Sequence, residues 1–188
     1  MYRLDEITII DNFLDPDSFE KVSSYILGRN FKWTCGPSSL GAATILMDPL
    51  YDRQLVNVIY SKHVKSGKGS PLTAEQENEY KIIIPFLKKL KITTKQLTRV
   101  KVNAVLCKES VMTSGYHVDV PEKELHCGMT AIYYVNTNNG KTIFKGGEEV
   151  ESIENRMVIF PNWYNHTARY HTDAPVRAVI NFNWLTNP

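Results

Sequence analysis

His117 and Asp119 stand two residues apart in Gly115-Tyr116-His117-Val118-Asp119. In extended chain such a pair projects from one face, about 6.7 Å apart along the backbone, so an imidazole and a carboxylate can reach one metal ion. A third donor, His166, closes the segment Pro161-Asn162-Trp163-Tyr164-Asn165-His166, just beyond the apolar run Met157-Val158-Ile159-Phe160. Two histidines and one carboxylate cover one face of an octahedron and leave three positions for other ligands, the donor set of the non-haem Fe(II) oxygenases. Zinc hydrolases use the same donors, so the ligand set alone leaves the metal open. Tyr116 is expected to point away from the pair and pack in the core.

Beyond His166, Val176 to Trp184 alternates: Arg177, Val179, Asn181 and Asn183 share one face, and Ala178, Ile180, Phe182 and Trp184 the other. An arginine aimed into an interior is costly unless an anion meets it, and its planar fork suits a carboxylate. The competing placement is an exposed edge strand. His171 is a rival distal ligand but lies only six residues before Arg177; otherwise it is a loop histidine. The neighbouring pair His126-Cys127 reads as structural and His63 as solvated. Trp33, Trp163 and Trp184 read as packing residues, with Trp163 or Tyr164 placed to wall a substrate entrance.

These side chains need a scaffold, and the two halves of the chain differ in period. Asp15-Pro16-Asp17 is a helix start, followed by Phe19, Val22 and Ile26 at helical spacing and Gly28 as a stop. A second helix is predicted from the capping pattern Thr73-Ala74-Glu75-Gln76 toward Leu90, kinked or split at Pro85. Between them, 34–44 and 61–70 read as long loops of the kind that form lids. From about residue 98 the signal becomes strand: Val100–Leu106, Met129–Val135, Arg156–Phe160 and Val176–Trp184, with turns at Asn138-Asn139-Gly140 and Glu154-Asn155. Glu148, Glu149 and Glu151 read as a surface hairpin. The expectation is one α+β, mostly β domain over 1–188, with residues 1–97 as helical support and lid loops and 98–188 as an antiparallel jelly-roll-like barrel.

The chain has 188 residues, 43% hydrophobic and 22% charged, enough to bury a core without a metal or disulfide staple. That excludes fibrous and disordered classes. No apolar run approaches the roughly 18 residues of a membrane span, and no apolar secretory segment is visible near Met1. Cys35, Cys107 and Cys127 are three widely spaced thiols, which argues against a disulfide framework and for a cytoplasmic location. The net charge of +2 gives little pull toward nucleic acid. The run of basic residues from Lys81 to Lys101 reads first as a solvated face, and leaves nucleic acid or an acidic peptide open as a partner. No pattern specifies an oligomer.

Taken together, His117-Val118-Asp119, Ala131 to Asn136, Asn139 to Phe144, Asn155 to Pro161, Asn165-His166 and Arg177 resemble the 2-oxoglutarate/Fe(II)-dependent dioxygenases, most closely the prolyl 4-hydroxylase-like branch. The resemblance covers roughly 98–184. It implies a double-stranded β-helix with Fe(II) on His117, Asp119 and His166, and the far carboxylate of 2-oxoglutarate on Arg177. It places Tyr134 near that carboxylate, and Asn181 and Asn103 in the cosubstrate pocket. Asn183 and Trp163 fall at the substrate pocket. Asn155 stands where the family often has glycine, and Asn183 where prolyl hydroxylases often have an aromatic residue. The implied reaction is O2-dependent hydroxylation of a C–H bond, peptidyl proline by analogy, releasing succinate and CO2, with ascorbate as a further cofactor of the branch. The substrate class is then a peptide, protein or small molecule. The alternatives are a metal-dependent hydrolase on the same donors and a non-catalytic binding module of the same fold.

Overall fold

The computed structural model describes residues 6–37, 53–62 and 74–186. Strand β1 (Thr8–Ile10) and helix α1 (Pro16–Ile26) come first, then β2 (Thr34–Pro37), β3 (Arg53–Ser61) and α2 (Ala74–Leu90). After β4 (Leu97–Leu106) and a short turn of 3-10 helix (Glu122–Glu124), the chain runs through β5 (Gly128–Tyr134), β6 (Lys141–Phe144), β7 (Glu149–Glu151), β8 (Arg156–Pro161), β9 (His166–Arg169) and β10 (Val176–Leu185). The fold is mostly β, as expected. The first 97 residues are more than helical support, because β1, β2 and β3 all join the large sheet. The predicted 34–44 loop therefore begins as a strand; its remainder, Thr73 and residues 63–70, including His63, lie outside the described residues.

Two antiparallel sheets face each other in the jelly-roll-like arrangement expected, without closing into one continuous barrel. The larger runs β1-β8-β5-β10-β4-β3-β2 and the smaller β7-β6-β9. The alternation of β10 sorts its residues as predicted: Ala178, Ile180, Phe182 and Trp184 join the main core with the two helices. The other face of the sheet looks toward the small one, where Ile132, Tyr134, Val158 and Val179 pack with Phe144 and Val150.

Helix α1 starts as its residues dictate: the Asp15 carboxylate accepts from Ser18 N at 3.0 Å, with Pro16 in the first turn. At Gly28 a Cβ would lie 2.5 Å from the Ser24 carbonyl oxygen, so the chain leaves the helix there only as glycine. Helix α2 is not split. Pro85 sits inside it, while Ile83, Phe86, Leu87 and Leu90 are buried below. Phe86 packs against Phe13, Tyr133 and Phe182 with ring centroids 4.7–6.1 Å apart. Burial on that scale outweighs the roughly 3 kcal/mol that an interior proline costs.

Asn155 takes the left-handed conformation its turn requires, with φ 58°. Its side-chain oxygen also accepts from Leu14 N (2.8 Å) and the Tyr133 hydroxyl (2.9 Å), and its Nδ2 donates to the Leu14 carbonyl (2.9 Å). Asn155 thus ties the segment before α1 to the sheet. Asn155→Gly keeps the backbone conformation and loses all three bonds, so we expect about 2–4 kcal/mol of destabilisation. A lower urea midpoint with an unchanged slope would show it.

Candidate metal centre

His117 does not lie on a regular strand as the two-residue spacing suggested. It forms an isolated bridge with His166. His117 N donates to the His166 carbonyl at 2.9 Å, and His166 N donates to the His117 carbonyl at 3.0 Å. Upstream, the Ser114 and Thr167 hydroxyls lie 2.9 Å apart, Ala168 N donates to Ser114 Oγ, and Ser114 N to the Ala168 carbonyl. Segment 113–117 is thereby stapled to β9, and two histidines 49 positions apart become direct neighbours, with ring centroids 4.7 Å apart.

Both rings are oriented alike. Nδ1 of His117 lies 3.1 Å from the Gly115 carbonyl, and Nδ1 of His166 lies 3.2 Å from that of Tyr164. A carbonyl oxygen only accepts, so each Nδ1 carries the proton and each Nε2 keeps its lone pair, the arrangement a metal site needs. Asp119 completes the cluster, its Oδ2 3.6 Å from His166 Nε2. One donor atom from each of His117, Asp119 and His166 lies within 4.8 Å of the others. Burial opposes ionisation of Asp119, but His166, Arg99 and His117 outweigh it and hold the carboxyl well below its usual range. Burial, then repulsion from His166, lowers the pKa of His117, so its imidazole is neutral at pH 7. Two imidazoles and one carboxylate suit a divalent ion of the first transition row. His171 lies in the loop between β9 and β10, fully buried and outside this cluster, so it is a loop histidine and not the rival ligand.

The cluster opens into a cleft that reaches solvent, lined also by Asn103, Thr142, Tyr170, Arg177 and Asn181 among others. Arg177 is 5% exposed. Its Nε donates to Ser152 Oγ (2.8 Å) and its Nη2 to Thr142 Oγ1 (3.3 Å), while the guanidinium carbon lies 5.6 Å from the Tyr134 ring centre. Tyr134 spends its own hydroxyl on Thr142 Oγ1 at 2.7 Å and, fully buried, backs the arginine rather than lining the cleft. Gly140 makes room for it, since a Cβ there would lie 2.9 Å from Arg177 Cδ. Among the described residues no acid pairs with Arg177. Desolvation therefore lowers its pKa, opposed only by Tyr134 and Tyr170. A buried cation without an anion is the counterpart that a dicarboxylate requires.

Asn181 donates to Asp119 Oδ2 at 3.1 Å, which fixes its amide and leaves its Oδ1 buried without a hydrogen-bond partner; Oδ1 of Asn103 is likewise unpartnered. The remaining expected site residues stand elsewhere. Asn183 is fully buried outside the lining, its Oδ1 accepting from Arg99 Nε and its Nδ2 donating to Thr130 Oγ1, both at 2.9 Å. Trp163 is 42% exposed and stacks on Tyr164 at 4.4 Å, outside the lining of the cleft. Tyr116, expected in the core, is 48% exposed, because irregular chain does not alternate as a strand does. The basic run does not form one surface: α2 packs its apolar face behind the large sheet and leaves Lys81, Lys88 and Lys89 exposed, whereas Arg99, Lys101 and Asn103 share the cleft-side face of β4 with Val105. Arg99, Thr142 and Ser152 had not been singled out. Arg99 was findable, since Arg99, Lys101 and Asn103 alternate with Val100, Val102 and Ala104.

No family model matches the sequence, and no curated protein resembles it closely enough to match. Solved structures do match. A Trichoplax adhaerens prolyl hydroxylase, solved with a peptide fragment of the hypoxia inducible factor oxygen degradation domain, superposes with a TM-score of 0.63 at 14% identity, covering 95% of this chain and 83% of that one. The fold is that of the 2-oxoglutarate/Fe(II) oxygenases. A Pseudomonas putida prolyl-4-hydroxylase gives 0.53 at 13% identity, covering 96% and 92% of the two chains. HygX from Streptomyces hygroscopicus, solved with nickel and 2-oxoglutarate, gives 0.59 at 8%, covering 98% and 84%. Identities this low carry the oxygenase architecture, and the chemistry has to come from the residues of this cleft.

Proposed function

We propose that the protein is an Fe(II)- and 2-oxoglutarate-dependent oxygenase that hydroxylates a C–H bond. One observation carries this reading: a single cleft holds two imidazoles and a carboxylate in ligand geometry together with a buried arginine that has no acid among the described residues. A hydrolase on the same three donors has no use for that guanidinium. Nε2 of both histidines and Oδ2 of Asp119 would hold the metal, and Arg177, backed by Tyr134 and Thr142, would hold the far carboxylate of the cosubstrate. Asn103 and Asn181 would line the cosubstrate, while Val105, Ile132 and Val179 keep that wall apolar and exclude water. Iron and 2-oxoglutarate, when bound, would supply the redox chemistry, coupling reduction of dioxygen to release of succinate and CO2 with one oxygen atom going to the substrate.

For the substrate we favour a peptide, with proline as the hydroxylated residue, on the strength of the prolyl hydroxylases among the structural neighbours. Trp163 and Tyr116 are exposed, stand close in sequence to His166 and His117, and would offer aromatic surface to such a chain. A small molecule is the other class, since HygX has also been solved with hygromycin B. Screening peptides, nucleotides and free amino acids for products 16 Da heavier separates the two.

Anaerobic Fe(II) with 2-oxoglutarate should give a weak visible charge-transfer band, and air should then yield succinate even without substrate. A folded protein that gives neither refutes the oxygenase reading and leaves the binding module standing. Metal affinity should hold between pH 7 and 8 and fall below about pH 6, as protons take the histidine lone pairs. The sign follows from His117, whose lowered pKa delays protonation on acidification. Affinity that stays flat from pH 8 to 5 would exclude histidine ligation.

A further inference from the structure

The two oxygens of the Asp119 carboxylate have different neighbours. Oδ2 faces His166 Nε2 and accepts from Asn181, whereas Oδ1 accepts from Arg99 Nη2 at 3.0 Å. Arg99 reaches Asp119 from β4 and is itself held at Nε by Asn183 Oδ1, at 2.9 Å. The chain of bonds continues inward. Asn183 Nδ2 donates to Thr130 Oγ1 (2.9 Å), Thr130 Oγ1 donates to Asn162 Oδ1 (2.8 Å), and Asn162 Nδ2 donates to the Glu124 carbonyl (3.0 Å). Asn183, Thr130 and Asn162 are all at most 1% exposed. Strands β4, β10 and β5 contribute Arg99, Asn183 and Thr130, and Asn162 follows directly after β8, so the row crosses the middle of the sheet and ends on the 3-10 turn just before β5.

Every donor and acceptor along the row has one role. Thr130 has a single proton, which goes to Asn162, so its oxygen must accept from Asn183. That orients the Asn183 amide and turns its carbonyl to Arg99. A guanidinium gripped at Nε has little freedom left at Nη2. Arg99 is partly exposed, with 27% of its side chain in solvent, so the buried row rather than tight packing fixes its direction.

We propose that Arg99 is a positioning residue for the metal centre: it occupies Oδ1 of Asp119, leaves Oδ2 as the one carboxylate oxygen for the metal, and thereby keeps the remaining coordination positions open for cosubstrate and dioxygen. This rests on the oxygenase reading of the site. Without Arg99, Oδ1 is free to swing onto the metal and take a position that the reaction needs. Asn183 acts one step further out, as the residue that aims Arg99.

Cobalt(II) tests this without turnover, because its visible spectrum reports coordination number and geometry. Wild-type protein is titrated with Co(II), then with 2-oxoglutarate, alongside Arg99→Met, Arg99→Lys and Asn183→Ala. In Arg99→Met we expect one bound Co(II) with an altered spectrum and about tenfold weaker 2-oxoglutarate binding, within the range that outer partners of metal ligands command. Asn183→Ala should shift both in the same direction by less. Arg99→Lys should resemble Arg99→Met, because an ammonium cannot reproduce the two-pronged hold on Asp119 and Asn183. Far-UV circular dichroism and thermal midpoints show that each variant is folded, and Arg99→Lys stands in if the methionine variant is not. A wild-type spectrum and cosubstrate affinity in Arg99→Met overturns the proposal. Full rescue by lysine also overturns it, since charge alone would then suffice. Failure of the wild type to bind Co(II) overturns the metal-centre reading beneath it.

Discussion

His117→Ala should give a folded protein that has lost its metal. The site would fall from three donors to two, and since losing only an outer partner of a ligand costs 10–100-fold in affinity, loss of the ligand itself should cost more than about 100-fold. Succinate formation should drop to background, and excess iron should not restore it. The fold should survive, because the neighbouring backbone is held independently by the His117–His166 and Ser114–Ala168 pairs. Calorimetric titration with Co(II) or Mn(II), paired with a thermal melt, separates lost ligation from lost structure. A variant that melts normally and binds metal as well as wild type would remove His117 from the centre.

Arg177→Met carries the second large expectation, and it has two parts with opposite signs. A buried charge that binds a carboxylate through charge-assisted hydrogen bonds is worth about 2–5 kcal/mol on truncation, so the KM for 2-oxoglutarate should rise roughly 100-fold. Folding should not suffer in the same way. The guanidinium is 5% exposed with only two hydroxyls and an aromatic face for company, and methionine fills most of its volume without a charge to desolvate. The cosubstrate-free variant should therefore melt at or above the wild-type temperature. A 2-oxo acid without the far carboxylate should lose nothing further in the variant, which confines the effect to that carboxylate. A large drop in melting temperature with an unchanged KM would instead make Arg177 a structural residue.

How far the residues themselves announced this site depends on sequence distance. The alternation of β10 was readable because a strand has a period of two and its neighbours in sequence share one environment. The same rule sorted Arg177 and Asn181 from Ile180 and Phe182 before any contact was known. The same period failed at Tyr116, where the chain bears the candidate ligands but is not a strand. Strands β1, β2 and β3 were also missed. They are short or lack strict alternation, and β2 reads Thr-Cys-Gly-Pro, which by composition is a turn; its pairing with β3 decides otherwise.

Local spacing and residue chemistry therefore determined which side chains could bind a divalent metal and a dicarboxylate, and where two helices and the long strands of the C-terminal half lie. Only the tertiary structure decided that His117 pairs with His166 across 49 residues, that Arg177 is shut away from any acid described, and that Arg99 leans on Asp119. The reason is physical. Side-chain periodicity is set by bonds between neighbours along the chain, whereas these contacts arise from sheet register and burial, which depend on every strand finding its partner at once.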